Sequence, residues 1–399
     1  MRGKRLENQE KSFSLFCEVL SQAKYGSIKL FYENSEIFNH DSFNKGPKVK
    51  VLINNFKCIE NFFLKGDLGW AESYINNSWE TDDLSIFLEW GARNFHSFSS
   101  YIRGKWYIIF YLRLKHYLNK NSRKGSRKNI RFHYDLGNDF YKSWLDKSMT
   151  YSSAIFKNKT QNLYQAQINK FNKLADLCNI KANDNVLEVG CGWGAFSIFL
   201  ARSRKANVTA ITISQKQFEE VNRKIYEQNL NDMIKVKLSD YRDLKGKYDK
   251  IVSIEMFEAV GERYWSLYFN TLSNNLVPNG QIGLQTITID DLYFKSYKKF
   301  PDFIQTYIFP GGMLPSVNAL QRTVKESGLK IIDKNLFGDD YAKTISQWKK
   351  SFESSWEDIK KNNYFDINFK RLWHYYLSYC EGGFRSGNIN VGQFLIRKD

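Results

Sequence analysis

The chain has 399 residues, which is enough for one large domain or two ordinary ones. Its hydrophobic content of 42% is typical of a globular protein and excludes a disordered one. The 59 lysines and arginines outnumber the 42 aspartates and glutamates, which gives a net charge of +17. A charge of this size favours a polyanionic partner, either nucleic acid or an anionic membrane surface, although a generally basic soluble surface would account for part of it.

The cysteines exclude the common cysteine-based sites. Their number is odd and no two are spaced as C-x-x-C, so we expect no disulfide framework and no metal site. The N-terminus lacks a sustained apolar core, and the longest apolar stretch, Trp106 to Leu112, is too short to span a bilayer. We therefore predict a cytoplasmic protein that meets a membrane only from outside. The cysteines are Cys17, Cys58, Cys178, Cys191 and Cys380.

Residues 1–100 are predicted to form a small α+β domain. Lys48 to Phe56 alternates roughly between polar and apolar residues, which predicts a strand. Asp82 to Phe95 carries apolar residues at helical spacing, and the preceding Thr81-Asp82 is typical of a helix start.

Residues 101–131 contain ten lysines and arginines and no acidic residue. The first half, Trp106 to Leu118, is aromatic and apolar with basic residues between, and the second half reads as a flexible linker. Rings in the headgroup zone and cations on lipid phosphates would make this segment an interfacial anchor. A solvated helix that packs one face on its own domain is the alternative, and the sequence leaves both open.

From Asn185 onwards, strands alternate with helices. This alternation predicts a parallel sheet with helices on both faces, so we expect residues 132–399 to form a doubly wound α/β domain with seven strands. Ser346 to Tyr379 is predicted to be mostly helical. The predicted strands are Asn185–Gly190, Asn207–Ile213, Lys235–Leu238, Tyr248–Glu255, Gly280–Thr288, Leu329–Phe337 and Val391–Lys398.

The most specific motif is a glycine loop that follows the first strand of this domain. Its glycines are Gly190, Gly192 and Gly194. Glycines let the backbone turn tightly and approach a ligand at the carboxyl end of the strand. A dinucleotide site would have an acidic residue about 20 positions later, but the second strand ends in Thr212-Ile213-Ser214, which disfavours NAD. An S-adenosylmethionine site also often has an acid at this position, but there the Gln217 amide could take its place, so the loop is interpreted as an S-adenosylmethionine site.

Seven motifs together resemble the cyclopropane-fatty-acyl-phospholipid synthases and their mycolic acid cyclopropane synthase relatives. The resemblance covers most of the chain, and Gly66 to Trp90 resembles the small N-terminal lipid-side domain of that family. It implies a Rossmann-like class I methyltransferase fold with S-adenosylmethionine as cofactor. The motifs are Tyr134–Tyr141, Met149–Ser153, the glycine loop with Trp193, Thr212–Gln217, Asp240–Leu244, Met256–Gly261 and Tyr307–Ser316.

The resemblance also implies which residues bind the cofactor. These are Tyr151 and Ser152 at the methionine part, Gly190, Gly192 and Gly194 beneath it, Thr212, Ile213 and Gln217 at the ribose, and Tyr241 and Arg242 beside the adenine. Tyr241 and Arg242 could instead belong to an ordinary loop. We favour the cofactor role because they follow the third strand, on the same sheet edge as the glycine loop.

In this family a methylene group is added across a cis double bond of a phospholipid acyl chain, and a bound bicarbonate accepts the proton. The positions that match its cysteine, glutamate, histidine, tyrosine and backbone-amide ligands are Ser153, Glu258, Gln285, Tyr341 and Ile287. Ser153 and Gln285 depart from the family, but both still offer hydrogen-bond donors to bicarbonate. Because neither titrates near neutrality, the base is expected to be bicarbonate or Glu258.

Methyl transfer to an alkene leaves a carbocation, which aromatic faces and a carboxylate can stabilise. Core packing is the commoner fate of a buried ring. A second glutamate, Glu255, precedes Glu258 by three residues, and two close carboxylates would raise one pKa and favour acid–base chemistry. Glu255 could otherwise be a surface or capping carboxylate. The aromatic candidates are Tyr134, Trp193, Phe257, Tyr307 and Tyr341.

Several functions compete with cyclopropane formation. Loss of a proton elsewhere on the acyl chain would give a methyl-branched unsaturated lipid. A small-molecule N-methyltransferase shares much of the pattern, although it would not need the basic segment at 101–131. A nucleic-acid methyltransferase is disfavoured because Ser253 to Glu258 does not match the motif of base-modifying enzymes. A non-catalytic membrane-surface protein would not need the glycine loop.

We therefore predict a peripheral enzyme on the cytoplasmic face of the plasma membrane. Its predicted partners are an unsaturated membrane phospholipid and an anionic membrane surface, and not nucleic acid. The N-terminal domain and the basic segment would dock on the bilayer, and the C-terminal domain would receive the acyl chain in an aromatic cleft. The sequence leaves open whether the protein forms a homodimer.

Overall fold

The structure, a computed structural model, divides into two compact units. It describes residues 2–98, 107, 110–111, 121–123, 125–126, 129, 136–158, 160–363 and 365–398. Most of the basic segment at 101–131 lies outside the described residues, so its role as an anchor stays a prediction. Within the described ranges, no helix combines the length and the apolar character needed to cross a membrane. The first unit comprises 1–118, 296–308 and 356–388, and the second comprises 119–295, 309–355 and 389–399.

The helices and strands have the following bounds. The helices are α1 (Arg2–Ser21), α2 (Lys57–Lys65), α3 (Asp67–Ile75), α4 (Leu84–Arg93), α5 (Phe95–Phe98), α6 (Asn138–Lys142), α7 (Leu163–Leu177), α8 (Ala195–Phe199), α9 (Gln215–Glu227), α10 (Trp265–Asn275), α11 (Asp291–Tyr297), α12 (Val317–Glu326), α13 (Gly338–Ser354), α14 (Trp356–Asn363) and α15 (Ile367–Ser386). The strands are β1 (Tyr25–Tyr32), β2 (Ser35–Asp41), β3 (Asn44–Ile53), β4 (Trp79–Thr81), β5 (Asn185–Val189), β6 (Asn207–Thr212), β7 (Ile234–Leu238), β8 (Tyr248–Ile254), β9 (Leu276–Ile289), β10 (Leu329–Leu336) and β11 (Ile389–Lys398).

The first unit contains a four-stranded sheet in the order β2-β1-β3-β4. Strand β1 is parallel to β3, whereas β2 and β4 pair antiparallel with their neighbours. The strand predicted at Lys48–Phe56 corresponds to β3, and the helix predicted at Asp82–Phe95 corresponds to α4. That helix begins two residues later than expected, because the Asp83 side chain accepts a hydrogen bond from the Ile86 backbone amide, at 3.1 Å, and caps it.

The long helix α15 belongs to the first unit, where it packs against α4. Gly382 allows this close approach, since a Cβ there would lie 2.7 Å from the backbone nitrogen of Glu89. The sequence predicted one domain over 132–399. Two segments of that range, 296–308 and 356–388, belong instead to the first compact unit. Helical periodicity shows which face of a helix is buried but not which sheet it packs against, and this explains the difference.

The second unit contains a seven-stranded sheet in the order β10-β11-β9-β8-β5-β6-β7. Only β11 runs antiparallel to its neighbours β9 and β10. Each of the seven strands predicted from the sequence is present, and the doubly wound α/β fold is confirmed. The order reverses at β5, the strand that the glycine loop follows, and ligands of such folds bind at this switch point.

Helix α7 lies close to the sheet because β9 carries a glycine beneath it. A Cβ on Gly283 would lie 2.3 Å from the Cys178 sulfur and 3.0 Å from Cδ1 of Leu174. The buried face of α7 also includes Lys170, whose side chain is fully enclosed. Close packing of α7 therefore brings an amine into the interior beside the carboxyl ends of the parallel strands.

Candidate active site

The glycine loop has three glycines in left-handed backbone conformations, with φ of 79° at Gly190, 53° at Gly192 and 82° at Gly194. A Cβ on Gly190 would lie 2.5 Å from Cγ of Met256, and one on Gly194 would lie 2.7 Å from Cγ1 of Val221. A Cβ on Gly192 would meet nothing within 4 Å. Two glycines are therefore required by packing within the protein, while Gly192 presents bare backbone to open space, as a bound cofactor requires.

The residues predicted to hold the ribose lie at the end of β6, next to this loop. The backbone amides of Gly190 and Cys191 donate to the Ile211 carbonyl at 3.0 Å, which ties the loop to β6. The Thr212 hydroxyl donates to Oε1 of Gln217 at 2.8 Å, and both side chains are buried. Ile213, the third residue predicted at the ribose, follows Thr212 in the sequence and is half-buried.

Tyr241 and Arg242 lie in a short turn after β7, as expected. The Arg242 guanidinium forms an ion pair with the buried carboxylate of Asp240, at 2.6 Å, and also donates to the Asn121 carbonyl at 3.1 Å. The Tyr241 ring packs edge-on against Tyr268, with centroids 5.2 Å apart. These contacts hold the turn in place, and a role beside the adenine stays a prediction.

The residues predicted at the methionine part of the cofactor are held by helix α7. Ser152 accepts a hydrogen bond from Nζ of Lys170 at 2.7 Å, and its carbonyl accepts one from Nε2 of Gln167 at 2.9 Å. The Tyr151 ring lies among aromatic neighbours. Its centroid is 5.4 Å from Tyr141, 5.5 Å from Trp144 and 5.3 Å from Trp348.

The aromatic candidates fall into different surroundings. Trp193 packs with Tyr141, at 5.0 Å, and Tyr341 with Trp348, at 6.0 Å, so both join the cluster around Tyr151. Phe257 is a core residue, enclosed by Trp265, Tyr268 and Phe269. Tyr307 belongs to the first unit, where its hydroxyl donates to Glu72, and Tyr134 lies outside the described residues. The sequence analysis missed Tyr141, Trp144 and Trp348.

Two glutamates follow strand β8: Glu255, and Glu258, which is one of the five predicted bicarbonate ligands. The other four predicted ligands donate hydrogen bonds to these two carboxylates. The Glu255 carboxylate accepts hydrogen bonds from the Ser153 amide at 2.9 Å, from Nε2 of Gln285 at 2.8 Å and from the Tyr341 hydroxyl at 2.5 Å. The register of β8 and β9, which pairs Ile254 with Gln285, places these groups together. Glu255 is therefore a half-buried, hydrogen-bonded member of the site and not a surface or capping carboxylate.

The second glutamate, Glu258, is bound separately. Its Oε1 accepts hydrogen bonds from the Ile287 amide at 2.5 Å and from the Thr286 hydroxyl at 3.0 Å. Its Oε2 is inaccessible to solvent and has no hydrogen-bond partner among the described residues. Burial first, and the charge of Glu255 second, raise the pKa of Glu258 to about 8. Glu258 is therefore mainly protonated at neutral pH.

Lys170 contributes a buried amine to this site, and sequence reasoning missed it. Burial lowers its pKa to about 7, while Glu255, Asp146 and Glu188 oppose that shift. Burial also raises the pKa of Glu255, but three hydrogen-bond donors and Lys170 act against this. A signal was present in the sequence, because Lys170 interrupts the apolar stripe of α7 between Ala166 and Leu174.

Residues 121–394 match the family model of mycolic acid cyclopropane synthetase. The chain belongs to the mycolic acid cyclopropane synthetase family. It is an S-adenosylmethionine-dependent methyltransferase, as the resemblance of its motifs implied.

Relatives in this family act on lipids according to their names. The chain is 33% identical over 353 residues to tuberculostearic acid methyltransferase UfaA1 of Mycobacterium tuberculosis, covering 84% of this chain and 79% of that one. It is 32% identical over 362 residues to a cyclopropane-fatty-acyl-phospholipid synthase of Escherichia coli, covering 89% of each. The cyclopropane synthase MmaA2 of Mycobacterium tuberculosis has a solved structure that matches with a TM-score of 0.64 and 27% identity, covering 68% of this chain and 98% of that one.

The substitution Gly192→Ala tests the cofactor cradle, and Gly328→Ala is its matched control. Gly328 also has positive φ, at 67°, and open space at the Cβ position, but it lies in the turn before β10. Both substitutions should cost about 1 kcal/mol of stability, because left-handed backbone is unfavourable with a Cβ. Calorimetry with S-adenosylhomocysteine should show binding weakened about tenfold or more by Gly192→Ala alone. Equal affinities of the two variants would contradict the cradle.

The substitution Glu258→Gln tests the protonation of Glu258. The unfolded chain releases this proton above its usual pKa near 4.5, whereas the folded protein keeps it up to about 8. The stability that the proton confers is thus present at low pH and is lost as the pH rises toward 8. We expect the free energy of unfolding in urea to rise for the variant relative to the wild type between pH 5 and 8, by up to about 1.4 kcal/mol per pH unit. A difference that does not change with pH would show that Glu258 is ionised.

Proposed function

We propose that the protein adds a methylene group across the cis double bond of an unsaturated phospholipid acyl chain, forming a cyclopropane ring. The observation that carries this proposal is the position of two half-buried glutamates beside the glycine loop. Met256 lies between Glu255 and Glu258 in the sequence, and its side chain packs so close to Gly190 that a Cβ there would clash with it. Ring closure needs a base for a carbon-bound proton, so a buried carboxylate suits it better than it suits simple N-methylation.

Residues at three strand ends would hold the cofactor, which supplies an electrophilic methyl group on its sulfonium. Bare backbone at Gly192 suits close approach of a ligand. The hydrogen bond from Lys170 fixes the hydroxyl of Ser152, the residue assigned to the methionine part. Thr212 and Gln217 brace each other at the end of β6, where the ribose hydroxyls would be received. Restricting these side chains in advance reduces the entropy lost on forming the reactive geometry.

The aromatic cluster around Tyr151 supports chemistry that passes through a cation. An alkene becomes positively charged at one carbon when the other carbon receives the methyl group. The faces of Tyr151, Trp144 and Trp348 offer negative potential to such a cation, and their bulk excludes water that would otherwise trap it. The buried Tyr341 links this cluster to Glu255 through its hydroxyl.

The first unit has features that suit an anionic bilayer. Phe43 is completely exposed and lies in the turn between β2 and β3. The same region contributes Lys45 and Lys48 to a groove that Arg93 and Arg385 also line. An exposed ring beside several cations matches the interfacial zone of a membrane, where rings enter the headgroups and cations meet lipid phosphates. This supports a peripheral position on the inner face of the plasma membrane.

A second candidate is C-methylation that leaves a methyl-branched unsaturated acyl chain. The names of two relatives favour it. One is the tuberculostearic acid methyltransferase described above, and the other is a probable fatty acid methyltransferase of Pseudomonas putida, 35% identical over 272 residues and covering 67% of this chain and 68% of that one. The two candidates differ only in which carbon loses its proton.

The test is product analysis with purified protein, S-adenosylmethionine bearing a CD3 methyl group, and vesicles of unsaturated phosphatidylglycerol. Ring formation removes one deuteron from the new methyl group, so the product should carry two deuterium atoms and lack the olefinic protons of the substrate. Three retained deuterium atoms with surviving olefinic protons would establish the methyl-branched product instead. Mass spectrometry and proton NMR read the two outcomes.

Two further arms of the same assay test the lipid partner. Unsaturated phosphatidylcholine vesicles carry the same acyl chains without net negative charge, so the rate on them should be lower at physiological salt. Vesicles of saturated phosphatidylglycerol should give no product. Transfer to a small amine, with no transfer to any lipid, would overturn the proposed function.

A further inference from the structure

The anion site expected from the family is filled by a side chain of this protein. Three of the five groups predicted to bind bicarbonate donate to Glu255, namely the Ser153 residue through its amide, Gln285 and Tyr341. The Ser153 hydroxyl donates instead to the Ala154 carbonyl at 3.0 Å. The Ser153 amide, Gln285 and Tyr341 therefore already share the Glu255 carboxylate.

The remaining two predicted ligands bind each other. The Ile287 amide donates to Oε1 of Glu258 at 2.5 Å, so this amide is not directed to a separate ion. A bicarbonate added here would bring a further negative charge next to Glu255 in a buried site, where like charges repel strongly. The residues present thus do not fit a bound bicarbonate.

We propose that the Glu255 carboxylate takes the place of bicarbonate and is the base that removes the proton from the new methyl group. The protein would accordingly work without bicarbonate. This inference rests on the proposed function, since a proton must be removed from carbon only if the methyl group is transferred to an alkene.

The backbone at Glu255 supports a functional position. Its φ of 50° is left-handed, which is unfavourable for a residue with a side chain and can be retained for function, although other non-glycine residues such as Lys205 also adopt it. The Glu255 amide nevertheless donates to the Gln285 carbonyl at 2.8 Å, which continues the pairing of β8 with β9. This hydrogen bond fixes the Glu255 backbone against β9, the strand that carries Gln285. The hydrogen bonds to the carboxylate fix the Glu255 side chain.

A buried amine and a hydrogen-bond chain support the position of the Glu255 carboxylate. Lys170 binds Ser152, the neighbour of Ser153, through its Nζ. The Lys170 carbonyl accepts from Nε2 of Gln393 at 3.2 Å, and the same Nε2 donates to Oε1 of Gln285 at 3.1 Å. This arrangement orients the Gln285 amide so that its Nε2 faces Glu255. A protonated Glu258 beside it adds no second negative charge.

The step balances without another reactant. The π electrons of the alkene form the bond to the methyl carbon, and the electrons of the carbon–sulfur bond leave with the neutral thioether. The second alkene carbon becomes cationic. Glu255 accepts a proton from the new methyl group, and the electrons of that carbon–hydrogen bond close the ring on the cationic carbon. The neutral acid then returns its proton to water.

The test compares two substitutions in buffer freed of bicarbonate. Glu255→Gly removes the carboxylate and should fold, because glycine favours the left-handed backbone. Its rate of ring formation should fall about 100-fold or more, which is the usual contribution of a general base. Added bicarbonate should raise the rate again to at least about a tenth of the wild-type rate. Glu255→Gln keeps the volume filled, so it should stay inactive with or without bicarbonate. The exposed Glu219→Gln serves as a control with wild-type rate.

Bicarbonate dependence of the wild-type protein decides the inference most simply. Its rate should be the same with and without bicarbonate. A wild-type rate that falls in bicarbonate-free buffer and recovers on addition would overturn the inference, as would a Glu255→Gln variant with the wild-type rate.

A binding measurement keeps this inference separate from the proposed function. Calorimetry with bicarbonate, on protein saturated with S-adenosylhomocysteine, should show binding to Glu255→Gly and none to the wild type. Binding to the wild type would overturn the inference even if the lipid product is a cyclopropane. Absence of any lipid product would overturn the proposed function, while the calorimetry would still show whether Glu255 fills the anion site.

Discussion

The site depends on the pairing of β8 with β9 beyond the end of the β8 strand. The Glu255 amide donates to the Gln285 carbonyl, while the Glu255 carboxylate accepts from the Gln285 side chain. One residue pair thus fixes both the backbone and the acid. Because side chains of a strand alternate between faces, a shift of one residue would turn Gln285 and Ile287 to the opposite face and leave both glutamates without these donors.

Two half-buried acids and one buried amine are tolerated here because their charges are distributed unequally. Glu255 has three donors and a nearby Lys170, whereas Glu258 holds a proton. An isolated ion in this interior would be costly, and two ionised acids would be costlier. The arrangement therefore yields one anion, the Glu255 carboxylate, which is held by fixed hydrogen bonds. This carboxylate can accept a proton from carbon, so no diffusing bicarbonate ion is needed.

The sequence predicted the fold well and the site only in part. Alternating strands and the glycines of the loop are local signals, and the family motifs identified Glu258, Tyr341 and Ile287 as neighbours. The partner of each group could not be predicted, because Glu255 competes with a ligand for the same donors and sequence shows no geometry. Likewise, Tyr307 lies in a motif of the family, but its segment joins the first unit through contacts that are distant in sequence.

A crystal structure of the protein with S-adenosylhomocysteine, grown in the presence of bicarbonate, would show directly whether Glu255 fills the anion site. The Glu255 carboxylate should lie within hydrogen-bond distance of the Ser153 amide, Gln285 and the Tyr341 hydroxyl, with no separate anion between them. Density for a bicarbonate ion on these three groups, with Glu255 turned away from them, would contradict this expectation.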